Sequence, residues 1–67
     1  MSQNDKRAEW AKQTIEKFQE ITGTEDEDAM SDLLCDMMHL ADRQGPAFAV
    51  DLTRAYGHYQ YEIEEES

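Results

Sequence analysis

Two glycine-containing breaks, at Gly23 and at Gly45-Pro46, divide this chain into three segments whose apolar residues recur with the 3.6-residue period of an α-helix. No segment shows the two-residue alternation that is typical of a strand. The pattern therefore predicts an all-α fold, a small three-helix bundle that forms one domain. The expected helices cover residues 4–21, 25–43 and 46–62, and an acidic tail at 64–67 is expected to fray.

Local signals mark the ends of the first helix. Ser2 and Asn4 are both candidates for its N-cap, since short polar side chains accept hydrogen bonds from the free N–H groups of a first turn. Gly23 is expected to end the helix, because glycine adopts the left-handed conformation of the C′ position without steric cost.

The second and third helices have their own expected boundaries. Thr24 and Glu27 fit a capping box, in which each side chain bonds to the backbone of the other residue. Gly45 is expected to end helix two, and Pro46 to occupy the first position of helix three. Gly57 is an unfavourable residue inside helix three, which suggests a close approach or a kink there.

The apolar face of the second helix is unusually wide for a helix that packs against one neighbour. It predicts a central helix that contacts two neighbours, or one neighbour and a second copy of the chain. Its methionines are expected in the core, although methionine is also used on adaptable binding surfaces. Trp10 and Tyr61 are the aromatic residues expected at the surface. The apolar face of helix two comprises Ala29, Met30, Leu33, Leu34, Met37, Met38, Leu40 and Ala41, and that of helix three comprises Phe48, Leu52, Ala55, Tyr56, Tyr59 and Ile63.

The net charge of −10 is confined to the part of the chain that follows residue 22. Residues 1–22 contain four basic and four acidic side chains, whereas the remainder contains twelve acids and two arginines. This balance argues against direct binding to nucleic acid or to an anionic membrane, both of which attract lysine and arginine. It favours a protein partner with a basic surface.

Asp28, Asp32 and Asp36 lie four residues apart, so that a helical rise of ~1.5 Å per residue places them about 6 Å apart on one face. This separation is close to that of neighbouring phosphates along a nucleic-acid strand. Such a row can occupy a basic groove built for a phosphate backbone, and the alternative is an ordinary solvated face that keeps the chain soluble. The predicted partner-binding residues are Glu25, Asp28, Asp32, Asp36, Asp42, Asp51, Tyr61 and Glu62.

Metal binding and catalysis receive little support from the sequence. Cys35 and His39 lie one helical turn apart and are flanked by Asp32 and Asp36, which is a spacing that can hold a transition metal. A surface histidine beside a packed cysteine explains the same residues, and no further soft ligand is close in the sequence. We therefore expect no cofactor, no metal and no enzymatic activity.

The single cysteine excludes an intramolecular disulfide and fits a reducing, cytoplasmic setting. No apolar run is long enough for a signal peptide or a membrane span. A chain of 67 residues buries little surface, so its stability is expected to be marginal, and a homodimer is one remedy.

The segment from Asp32 to Gly45, with the later pair His58-Tyr59, resembles a group of small proteins encoded by phages, prophages and plasmids, mostly of unknown function. Their pattern is similar to Asp-Leu-Leu-x-Asp-x-x-His-x-x-Asp-x-x-Gly before a helix that ends in His-Tyr. The resemblance covers residues 29–64, and Pro46-Ala47 departs from the apolar-Asp pair of that pattern. In size and charge the chain is also similar to phage-encoded anti-CRISPR and anti-restriction proteins.

Together these observations predict a mobile-element inhibitor that acts in the host cytoplasm. Its acidic face would bind a host nucleic-acid-binding protein, such as a CRISPR effector or a restriction enzyme, in place of DNA. The alternative is a helical dimer or adaptor that contacts its partners through the Met-rich and aromatic surface, with the charge serving only solubility.

Overall fold

Three α-helices joined by short connections form the fold. The computed structural model describes residues 2–66, within which no strand occurs. Helix α1 spans Gln3–Thr22, α2 spans Asp26–Gln44 and α3 spans Phe48–Glu66. The predicted all-α three-helix bundle is confirmed, and α2 contacts both of its neighbours.

Both ends of α1 carry the expected caps. Ser2 is the N-cap: its hydroxyl accepts a hydrogen bond from the backbone N–H of Asp5 at 3.1 Å, and the Asp5 carboxylate accepts one from the Ser2 N–H at 3.2 Å. At the other end Gly23 has a φ of 75°, and its N–H donates to the carbonyl of Gln19. Of the two predicted N-cap candidates, Ser2 is the cap and Asn4 lies inside α1, and the prediction that Gly23 ends the helix is confirmed.

The capping box predicted at Thr24 and Glu27 is wrong. Glu25 is the N-cap of α2, and its side chain makes no capping hydrogen bond. The Thr24 hydroxyl is instead 2.7 Å from the Thr22 hydroxyl, and the Thr24 N–H donates to that same Thr22 oxygen at 3.2 Å. Thr24 therefore closes the turn after α1, and so its side chain does not cap α2.

Helix α3 begins two residues later than predicted. Its first N–H bonds run from Val50 and Asp51 to the carbonyl of Ala47, so Pro46 lies before the helix and does not occupy its first position. Gly45, with a φ of 94°, ends α2 as predicted, and its N–H donates to the carbonyl of Ala41.

Polar contacts tie the start of α1 to the last turns of α3. Asn4 Nδ2 donates to the backbone carbonyl of Glu62 at 2.9 Å and to a carboxylate oxygen of Glu66 at 2.6 Å, and Ser2 Oγ donates to Glu66 at 3.1 Å. Arg7 forms an ion pair with Glu62 at 3.3 Å. These bonds favour a helix that continues to Glu66, beyond the end predicted at residue 62, and the fraying of the tail stays a prediction. The last residue of that tail lies outside the described residues.

The three helices form an open arrangement rather than a closely packed bundle. Among the apolar residues that the structure describes, only Ala29 and Ala41 are buried. The methionines predicted to lie in the core are 44–63% exposed. The radius of gyration is 13.7 Å, whereas a compact domain of this length has one of about 11 Å. The predicted Met-rich core is therefore wrong for the single chain.

The glycines give a matched pair of predictions about stability. A Cβ atom at Gly45 or at Gly57 would meet no neighbouring atom within 4 Å, but only Gly45 has a positive φ. Gly45→Ala should therefore lower the free energy of unfolding by about 1–2 kcal/mol, from the left-handed backbone alone. Gly57→Ala should raise it by about 0.5–1 kcal/mol, because Gly57 lies in the interior of α3. Urea unfolding of both variants measures this, and equal effects would contradict it.

The structure shows no close approach of another helix at Gly57, which the sequence had suggested. No atom of another element lies within 4 Å of the position that its Cβ would take. The absence of a side chain there does not bring two helices together.

Candidate functional site

One face of α2 carries a set of exposed carboxylates, which we call the acidic row. The helical period places them on the side of α2 that is opposite its apolar face. All of them are exposed, and none forms an ion pair within residues 2–66. The acidic row consists of Asp28, Asp32, Asp36 and Asp42 on α2 together with Glu25, which is the N-cap that precedes the helix and is not placed by the helical period.

The acidic row has little positive charge on its own helix. Arg43 is the one basic residue of α2, and its guanidinium donates to the backbone carbonyl of His39 at 2.9 Å. This contact holds the arginine against its own last turn, where a cation complements the helix dipole. The carboxylates of Asp28, Asp32 and Asp36 are exposed to solvent, and none of them forms an ion pair within residues 2–66.

The three predicted binding residues on α3 lie in different surroundings. Asp51 faces Arg54, one turn away, with 3.9 Å between their charged atoms. Glu62 is half-buried against α1, where Arg7 pairs with it, so its carboxylate is already engaged. Tyr61 is exposed, as predicted. Sequence reasoning did not anticipate the partner of Glu62, because that contact joins residues far apart in the chain.

The pKa of the Tyr61 hydroxyl is shifted by a neighbouring carboxylate. Its pKa is raised above 10.0, first because its hydroxyl bonds to the Glu65 carboxylate and second because the charge of Glu65 opposes tyrosinate formation. The stabilisation from this bond is present below the ordinary tyrosine pKa and is lost as the pH rises through the raised pKa. Glu65→Gln should move the pKa of Tyr61 back toward its ordinary value. Ultraviolet titration of the tyrosines measures this, and an unchanged curve would contradict it.

The Cys35 and His39 pair shows no sign of a metal centre in the described part of the chain. Cys35 is a free, exposed thiol. No group of three or more histidine, cysteine or carboxylate side chains within residues 2–66 is arranged to hold a metal ion. Two ligands on one exposed helical face do not make a closed site.

A second surface consists of apolar residues that the sequence predicts to be buried and that are exposed in the structure. Its side chains follow an alternating spacing of four and three residues on both α2 and α3, and each is 43–63% exposed. This spacing is a heptad pattern that is typical of a helix–helix seam. The heptad spacing can be recognised in the sequence, but the exposure of these side chains is known only from the structure. We call this surface the inner stripe, and it consists of Met30, Leu34 and Met37 on α2 with Leu52, Tyr56, Tyr59 and Ile63 on α3.

Comparisons with protein-family models, with curated proteins and with solved structures found no match to this chain. Among the helices that the structure describes, none combines the length and the apolar composition that a bilayer crossing requires.

Proposed function

We propose that this protein binds a basic, nucleic-acid-binding protein through the acidic row and so competes with the nucleic acid. The observation that carries the proposal is that the carboxylates of the acidic row are exposed and unpaired within the described residues.

The physical basis is the strength of charge-assisted hydrogen bonds. Arginine and lysine side chains that line a phosphate-binding groove pair equally well with carboxylates, and the arginine fork matches both groups. Asp28, Asp32 and Asp36 present three such acceptors along one helix face. The excess negative charge also steers the protein toward a basic groove before contact.

The resemblance to small proteins of phages, prophages and plasmids suggests the biological setting. A mobile element benefits when a host nuclease is kept away from DNA, so CRISPR effectors and restriction enzymes are the partners that we propose. The protein would act in the host cytoplasm as an inhibitor, and the inhibition would be steric and electrostatic because no catalytic step is required.

The direct experiment is a pull-down from a host lysate with tagged protein, washed at low and at moderate salt. We expect a nuclease or another DNA-binding protein that is retained at low salt and lost at moderate salt, since exposed charges are screened beyond ~10 Å at 0.1 M. The captured protein is then titrated with labelled duplex DNA in the presence of the inhibitor. Simultaneous binding of DNA and inhibitor would contradict the proposal.

A second candidate function has its own observation. The exposed methionine and aromatic side chains form an apolar surface that fits an adaptor contacting a protein partner. Such a contact would persist at moderate salt, because apolar burial does not depend on screened charges. A salt-resistant partner without a nucleic-acid site would favour this function over the first.

A further inference from the structure

We propose that the inner stripe is the interface of a homodimer, in which a second copy of this chain covers the exposed faces of α2 and α3. This assignment concerns a different surface from the acidic row and does not depend on the proposed function. It is carried by the amount of surface that the chain leaves open, by the grooves that connect parts of the inner stripe and by the position of the acidic row.

The chain as a whole exposes more surface than a compact monomer of its mass, by an amount comparable to one side of a stable dimer interface. The accessible surface of the structure is 5677 Å², whereas a folded monomer of 7.8 kDa is expected to expose about 4,400 Å². The excess is about 1,300 Å² per chain, and obligate homodimers bury roughly 1,000–2,500 Å² on each subunit. A second copy therefore supplies the area that this chain does not bury by itself.

Two grooves along α1 connect part of the inner stripe on α2 with part of it on α3. Ala8 borders the groove between α1 and α2, together with Ile15 and Met30, and it also borders the groove between α1 and α3, together with Tyr59 and Ile63. Charged side chains, among them Lys12 and Glu62, border the same grooves. The heptad spacing on α2 and α3 provides the regular ridges that helix packing between two copies requires.

On α2 the acidic row lies away from the inner stripe, whereas on α3 Glu62 and Glu66 border the groove that Tyr59 and Ile63 line. Turning 100° per residue, Met30, Leu34 and Met37 lie on the opposite side of α2 from Asp32. A dimer formed through the stripe therefore leaves the acidic row of each copy exposed. Two chains of charge −10 still repel one another at long range, and salt weakens that repulsion.

The test is sedimentation equilibrium of the untagged protein across a wide range of concentrations, at low and at moderate salt. We expect a mass of twice 7.8 kDa and a dissociation constant that falls as salt is added. The thermal midpoint followed by circular dichroism should rise with protein concentration, because dimerisation stabilises the folded state by mass action.

Two tyrosines on α3 provide a matched pair of variants. Tyr59 lies in the inner stripe and Tyr61 lies on the other side of the helix, but in the single chain they are 57% and 62% exposed. Tyr59 also contacts the ring of Tyr56, with 6.2 Å between the ring centroids, so urea unfolding of each variant as a monomer is needed to separate a loss of stability from a loss of dimerisation. We expect Tyr59→Ala to weaken dimerisation by about tenfold or more, as loss of an aromatic interface residue does, and Tyr61→Ala to leave it unchanged.

Several results would overturn the homodimer. A folded species of 7.8 kDa at the highest concentration would show that no second copy is needed, and small-angle scattering of that species would tell whether the chain closes on itself. A higher oligomer, or an equal effect of the two tyrosine substitutions, would also exclude the two-copy interface through the inner stripe. The measurements on the unmodified chain decide the matter even where Tyr59→Ala fails to fold.

Discussion

Replacing Asp28, Asp32 and Asp36 together with asparagine is expected to weaken partner capture by at least about 100-fold. Each substitution keeps the size of the side chain and removes one charge, so three charge-assisted bonds to a basic groove become neutral ones. A hydrogen bond to a charged group contributes about 1.5–3 kcal/mol, against roughly 0.5–1.5 kcal/mol for a neutral one. Titration of the captured partner at low salt measures the loss.

A control with the same change in net charge separates the acidic row from the total charge. Glu9, Glu16 and Glu20 lie on α1, where acids and bases are balanced, and their replacement with glutamine also removes three negative charges. This control should bind almost normally. If both triple variants lose affinity equally, overall charge and not the acidic row accounts for binding.

The stability of the asparagine variant shows whether misfolding could be the cause of lost binding. Like charges four residues apart on a helix are destabilising by roughly 0.2–0.5 kcal/mol per pair, and the substitutions relieve two such pairs. Asp28 lies in the first turn of α2, where the helix dipole favours a negative charge by about 0.3–1 kcal/mol, so the two effects offset each other and the variant should be about as stable as the parent chain. Circular dichroism with urea unfolding provides this measurement.

Ala29→Leu is expected to destabilise the fold strongly, with a loss of about 1–3 kcal/mol in the free energy of unfolding. Ala29 is 1% exposed, so the added atoms have no free space and must displace the atoms that cover Ala29. A chain of this length has a total stability of only about 3–10 kcal/mol, which makes this loss a large fraction of the whole. Urea or thermal unfolding followed by circular dichroism in the far ultraviolet is the measurement.

The matched control for this substitution is Ala49→Leu on α3. Ala49 is exposed, and leucine is nearly as good a helix former as alanine, so the change should stay within about 0.5 kcal/mol. Comparable losses at both positions would show that helix propensity, and not packing at Ala29, controls the result. No loss at Ala29 would mean that the packing around Ala29 is not tight in solution.

The two proposals predict opposite responses to salt, which allows one set of experiments to separate them. Salt should weaken the binding of a basic partner to the acidic row, and it should strengthen the association of two acidic chains through the inner stripe. A dimer would also present two acidic rows, and a partner that reaches both would gain avidity. Loss of either behaviour leaves the other proposal intact.

The sequence by itself determined the helices and their boundaries where the signal is local. The apolar period of 3.6 residues predicts all three helices, and Ser2, Gly23 and Gly45 mark ends that the structure confirms. The acidic row is also a local feature, because residues four apart on a helix share a face wherever that helix packs. The Thr24 hydroxyl could bond either to the first turn of α2 or to the Thr22 hydroxyl, and the sequence pattern does not indicate which bond forms. In the structure it contacts Thr22.

Only the tertiary structure decided which apolar residues are buried. Periodicity identifies a face of α2 or α3, but it does not say how closely another helix approaches that face. Ala29 and Ala41 are buried, whereas Met37 and Tyr59 are 44% and 57% exposed although they lie on the apolar faces of their helices. The contact of Asn4 with Glu62 likewise joins the two ends of the chain, and no local rule contains it. Burial depends on distances between helices, and those distances are properties of the folded molecule.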